Sequence, residues 1–150
     1  MDSDAPNTLI EHFSLLEDTR DPKRRRHLLI DIVIIAITAV LRGAAGWAEI
    51  EEFGKPTEEW FRKFLELDNG IPSHDTFGRV FALLSPATFQ ERFSAWVESV
   101  REVYEGEEIV AVDGKSLRRS HNRKRGQGPL HMVSAWAVNS RIVLGQRATE

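Results

Sequence analysis

Residues 28–41 (LLIDIVIIAITAVL) constrain this chain more than any other stretch. They are apolar except for Asp31 and Thr38, and Arg26 and Arg42 close them off. A bilayer span takes about 20 apolar residues, so the run is too short to be one. Its β-branched side chains would suit a strand. Its unbroken length, and Gly43 just beyond it, favour a helix buried on most sides. Other elements must pack around such a helix, and 150 residues with 41% hydrophobic composition can provide them. The chain has no cysteine, so it has no disulfide framework, thiol nucleophile or Cys-based zinc site. Met1-Asp2-Ser3-Asp4 lacks the basic-then-apolar order of a signal peptide. The expectation is a soluble, cytoplasmic protein.

Helical spacing continues on both sides of the run. Thr8-Leu9-Ile10-Glu11 has the form of a capping box, and Leu9, Ile10, Phe13 and Leu16 follow at helical intervals. Asp21-Pro22 breaks the pattern. Trp47, Ile50 and Phe53 predict a short helix, and residues 56–67 another, with Trp60, Phe61, Phe64 and Leu65 on one side. Tryptophans 47, 60, 96 and 136 read as core. Asp68-Asn69-Gly70 is a turn, after which Ser73 caps a helix through Leu84. Ser85-Pro86 opens a last helix carrying Phe89, Phe93, Trp96, Val97 and Val100, and Gly106 ends it. Beyond Gly106 the pattern changes. Residues 108–113 (EIVAVD) read as a buried strand and residues 116–129 as a polar, basic loop. Residues 130–138 and 142–148 read as an antiparallel hairpin across Asn139-Ser140. The expected class is α+β: a helical region at 1–106, then the first β-strands of a second domain at 107–150. Three strands without covering helices make a poor unit, so the end at Glu150 reads as a truncation.

The net charge of −3 hides a pattern. Arg20, Lys23, Arg24, Arg25 and Arg26 against Asp21 give +4 over residues 20–26. Lys115, Arg118, Arg119, Arg123, Lys124 and Arg125 give +6 over residues 115–125, with no acid among them. Residues 46–68 between the clusters carry −4. Dense basic clusters in an acidic chain suit local contact with a polyanion; they equally describe solvated loops. Residues 47–84 resemble a helix-turn-helix that would present His74, Thr76 and Arg79 to DNA. The same segment also reads as a capped core helix, because Phe77, Val80, Phe81 and Leu84 share its apolar face. Asp113 ends the buried strand ahead of Gly114 and Lys115. A carboxylate there suits a metal ligand or catalytic acid, or simply caps a turn. The five histidines (12, 27, 74, 121 and 131) stand apart from one another, which argues against a zinc site.

Several stretches resemble the H-repeat-associated family of bacterial insertion-sequence transposases. They are DPKRRR (21–26), GAAGWAEIEEF (43–53), GIPSHDTFGRVF (70–81), VAVDGKSLRRS (110–120), GPLHMVSAW (128–136) and LGQ (144–146), in unbroken order over nearly all of residues 8–150. The resemblance implies a DDE-type transposase with a helical N-terminal region and a ribonuclease-H-like catalytic domain. It implies that Asp113 is the first of three carboxylates holding two divalent ions, Mg2+ or Mn2+, which would clamp the attacking and leaving oxygens of a phosphoryl displacement. It implies DNA as partner and leaves self-association open; Lys115, Arg118, Arg119, Arg123, Lys124 and Arg125, flanking Asp113, would sit well on DNA phosphates. The family's second Asp and its Glu have no counterpart before Glu150. One carboxylate cannot hold two ions, so the expectation is a chain inactive alone. The rivals are a non-catalytic DNA-binding remnant or regulator of an insertion sequence, and a helical protein–protein module using the acidic 46–68 surface.

Overall fold

The computed structural model describes residues 4–103, 130–131 and 133–135. Six helices follow one another: α1 (Asp4–Phe13), α2 (Leu29–Leu41), α3 (Trp47–Gly54), α4 (Glu58–Phe61), α5 (His74–Leu83) and α6 (Pro86–Val103). A 3-10 turn at Pro22–Arg24 lies between the first two.

The apolar run forms α2, the centre of the fold. Ten of its thirteen residues are buried, and α1, α3 and α5 pack around it. A helix apolar on every side is stable only inside such a ring of neighbours. Each fully buried Ile or Val contributes roughly 1.5–3 kcal/mol. Its C-terminus closes as the glycine predicted. Gly43 takes a left-handed φ of 110°, its amide donates to the Val40 carbonyl, and the Ala44 amide donates to the Ala39 carbonyl.

The outer helices lock onto this core through aromatic rings. Phe13 of α1 lies 5.1 Å from Phe89 of α6, and Phe89 meets Phe81 of α5 edge-on at 5.9 Å. Trp96 of α6 donates its indole N–H to the Thr8 hydroxyl at 3.2 Å. Ser73 caps α5 by accepting the Thr76 amide, and Ser85 caps α6 by accepting the Thr88 amide, each at 3.3 Å.

Several expectations need correction. The α+β class does not hold for the described residues, which are helical and contain no strand. The predicted strand 130–138 is helical at residues 130–131 and 133–135. Leu130 packs against the core and Val133 is fully buried there. Side chains three apart share one face of a helix but opposite faces of a strand, so the packing decides it. The predicted strands 108–113 and 142–148 lie outside the described residues. Thr8 does not begin α1, because the helix already starts at Asp4. The helix predicted over 56–67 shrinks to Glu58–Phe61. There the buried Asp31 carboxylate takes the Leu67 amide at 3.1 Å, and Leu67 turns left-handed at φ 47°. That conformation costs about 1–2 kcal/mol for a residue with a Cβ, and it lets Leu67 join Phe61 and Leu65 in the core. Trp47 and Trp60 are not core: they are 37% and 40% exposed, whereas Trp96 is buried.

Candidate nucleic-acid interface

A groove of about 870 Å3 opens between the loop preceding α2 and the exposed face of α5. Arg20, Asp21, Arg24, Arg26 and His27 line it from the loop, Thr76, Arg79, Val80 and Leu83 from α5. Asn69, Ile71 and Ser73 complete it. Four arginines and one aspartate thus line a partly apolar groove.

The loop owes its shape to arginines used as struts. Arg20 grips Asp18 with two parallel bonds, Nε to Oδ1 at 2.9 Å and a terminal nitrogen to Oδ2 at 2.8 Å. It also donates to the His27 carbonyl at 2.8 Å. Arg25 donates to the Asp18 and Arg20 carbonyls. Asp21 caps the 3-10 turn by accepting the Lys23 amide, with Pro22 at the first position. Such charge-assisted, two-pronged pairs hold a loop that has little core of its own. The Arg20 bond, with help from Arg25, keeps the Asp18 carboxyl below its ordinary range. Burial and the charges of Arg26 and Arg20 push His27 down, so the imidazole is held neutral in a positive field.

The opposite wall is a packed helix. Phe77, Val80 and Phe81 of α5 are buried, which turns Thr76 and Arg79 toward the groove. The Thr76 hydroxyl lies 3.2 Å from the Ser73 hydroxyl, and Arg79 reaches Thr76 at 3.5 Å. Arg24, Arg26 and Arg79 make no ion pair with a carboxylate among the described residues. Their charge is available to a ligand.

Of the three α5 residues singled out from sequence, Thr76 and Arg79 come together in the groove and His74 does not. Glu51 of α3 accepts both the His74 amide, at 2.7 Å, and its Nδ1. This pins the start of α5 to α3. Lys55 and His74 together hold the Glu51 carboxyl down at about 2, and Glu51 raises His74 in return. Residues 62–73 between α4 and α5 are far longer than the three- or four-residue turn of a helix-turn-helix. The exposed face of α5 therefore lines the groove together with the arginine loop rather than pairing with a preceding helix.

Asp18 and Asn69 are groove-building residues that sequence reasoning missed. Asp18, two residues before Arg20, could have been found as an acid inside a basic neighbourhood. Asn69 is indistinguishable from an ordinary turn residue until its side chain is seen on the Arg26 carbonyl, at 2.5 Å. Asp113, Lys115, Arg118, Arg119, Arg123, Lys124 and Arg125 lie outside the described residues. Among the described residues no three His, Asp or Glu side chains converge to hold a metal ion. No helix among them is long and apolar enough to cross a membrane.

A helical unit presenting an arginine-lined groove is the class that this geometry defines. Residues 10–97 match the DDE_Tnp_1-associated family model, and the chain belongs to that family. Among curated relatives, H repeat-associated putative transposase YhhI of Escherichia coli K12 is 37% identical over 142 residues, 95% of this chain and 37% of that protein. An uncharacterized protein in the dhlA 3' region of Xanthobacter autotrophicus is 42% identical over 139 residues, 92% of this chain and 47% of that protein. Inactive transposase YbfQ of E. coli K12 is 42% identical over 72 residues, 48% of this chain and 86% of that protein. The chain spans less than half the length of the first two. No solved structure matches.

Proposed function

We propose that this chain serves DNA transposition by holding a DNA backbone in the groove between the loop at residues 18–27 and α5. The observation that carries this reading is the convergence of Arg24, Arg26 and Arg79 on one groove without carboxylate partners among the described residues. Guanidinium groups bind phosphate by paired hydrogen bonds as well as charge. Arginines on two walls suit a phosphate-bearing strand passing between them. Thr76 adds a neutral hydroxyl of the kind that commonly contacts phosphate. The basic residues 115–125 would extend the contact along the DNA. Asp113 is assigned by family resemblance as a ligand for Mg2+ or Mn2+ in strand cleavage and joining. The ion would activate the attacking oxygen and neutralise charge on the phosphate.

Fluorescence anisotropy with a labelled duplex tests the groove. Affinity should fall steeply with salt, because each phosphate contact releases counterions. Flat, weak binding at every ionic strength would sink the reading. A second reading, a DNA-binding relic or regulator without cleavage, gains support from the similarity to YbfQ, which is named an inactive transposase. A Mn2+-dependent nicking assay, with Asp113→Asn as control, separates the two. Nicking that the variant loses favours the transposase; none in either protein favours the relic.

A further inference from the structure

One wall of the groove is tied to the core through a single buried carboxylate. Asp31 stands in the first turn of α2 and is 3% exposed. Its Oδ2 accepts the Leu67 amide at 3.1 Å, and its Oδ1 is buried with no partner among the described residues. Leu67 is buried and left-handed, at φ 47°. That backbone conformation, rare for a residue with a Cβ, presents the Leu67 amide to the carboxylate.

The linkage continues outward. The Gly70 amide donates to the Leu67 carbonyl at 3.0 Å, and the Asn69 amide group donates to the Arg26 carbonyl at 2.5 Å. Asn69 and Arg26 both line the groove. Any apolar side chain at position 31 would continue the apolar run and spare the desolvation of a carboxylate. A charge kept there at such a cost points to a task beyond filling space.

We propose that Asp31 is a positioning residue of the groove: its carboxylate fixes the left-handed turn at Leu67 and so sets where Asn69 holds the Arg26 carbonyl. The consequence for DNA rests on the groove reading above; the consequence for the turn does not. Both are measured on the full 150-residue chain. Asp31→Leu removes the acceptor, Asp31→Asn keeps an oxygen for the Leu67 amide, and Asn69→Ala cuts only the exposed outer link. Amide hydrogen exchange at Leu67 and Gly70 should quicken about tenfold in Asp31→Leu and recover in Asp31→Asn. Duplex affinity should drop about tenfold in Asp31→Leu, severalfold in Asn69→Ala, and return in Asp31→Asn.

Unchanged exchange in a folded Asp31→Leu protein would overturn the proposal. So would wild-type affinity in Asn69→Ala, which carries the test if Asp31→Leu fails to fold. If the native chain shows no salt-dependent binding, the groove reading fails instead. Exchange at Leu67 then still decides the role of Asp31 in the turn; if Asp31→Leu does not fold, exchange in the native chain takes its place, and a Leu67 amide no better protected than an exposed one would overturn the proposal.

Discussion

The two walls of the groove are built on opposite principles. The α5 wall is held by burial: Phe77 is fully buried, with Val80 and Phe81 beside it, and Ser73 and Glu51 secure its first turn. The loop wall has no buried residue in its 3-10 turn and is held by Arg20 and Arg25 bonding to Asp18 and to backbone carbonyls. A cluster that reads in sequence as five equivalent positive charges therefore divides in two. Arg20 and Arg25 are committed to architecture, while Lys23, Arg24 and Arg26 are not; of these, Arg24 and Arg26 line the groove opposite Arg79. Counting charges overstates what such a loop can offer a polyanion.

The sharpest way to break this contrast is Phe77→Ala. Truncating a fully buried phenylalanine costs about 3–5 kcal/mol, and urea denaturation should show that loss as a large fall in midpoint. A loss below about 1 kcal/mol would mean that α5 is not held by packing. The next effect is on binding. Replacing Arg24, Arg26 and Arg79 together by alanine should reduce the slope of log affinity against log salt by roughly 2.7, about 0.9 for each phosphate no longer neutralised. Thermal stability should hardly change, because these side chains make no ion pair with a carboxylate among the described residues and only Arg79 has a side-chain contact, a long one to the exposed Thr76 hydroxyl. An unaltered slope would place the phosphates elsewhere. Asp18→Ala comes third, with a stability loss of about 1.5–3 kcal/mol for the charge-assisted bonds removed. Because Arg20 lowers the Asp18 carboxyl, this stabilisation is complete above the unfolded carboxylate's titration near 3.8. It disappears as pH falls through the lowered folded value. Acid unfolding followed by circular dichroism should show a shallower acid limb in the variant than in the native chain.

Much of this architecture was legible because it is local. The length of the apolar run and the glycine after it favour an enclosed helix over a strand, and Gly43, Ser73 and Ser85 act within a turn of themselves. The failures share one physical cause, which is that distant partners override local pattern. Thr8 sits beside a well-formed capping sequence, yet its hydroxyl belongs to Trp96, 88 residues away. Residues 62–67 carry helical spacing, but Asp31, 36 residues before Leu67, captures an amide and turns the chain. Residues 130–138 read as a strand from their composition, yet Leu130 and Val133 are helical and the core receives both on one side. The groove was legible in parts: the basic loop, Thr76 and Arg79 could be named, whereas their meeting could not. His74 turns instead to Glu51, a partner that nothing near it in sequence announces.

The smallest effect sets two aspartates against each other. Asp18 is lowered by Arg20 and stabilises the fold more as pH rises. Asp31 is raised, first by burial and then by the carboxylates of Glu66 and Asp68. For Asp31 the sign reverses: between the unfolded value near 3.8 and its raised folded value, the native state holds the proton that the unfolded chain has released. Stability attributable to Asp31 is therefore greatest in acid and declines as pH rises through that window. The Leu67 and Glu66 amides oppose the shift but do not cancel it, because burial is the largest influence. Asp31→Asn keeps the acceptor and removes the titration. Melting temperatures of the two proteins, measured from about pH 3 upward, should therefore draw apart in the direction that favours the variant as pH rises. Parallel curves would show that water reaches the carboxylate and that the core around α2 is less closed than its packing indicates.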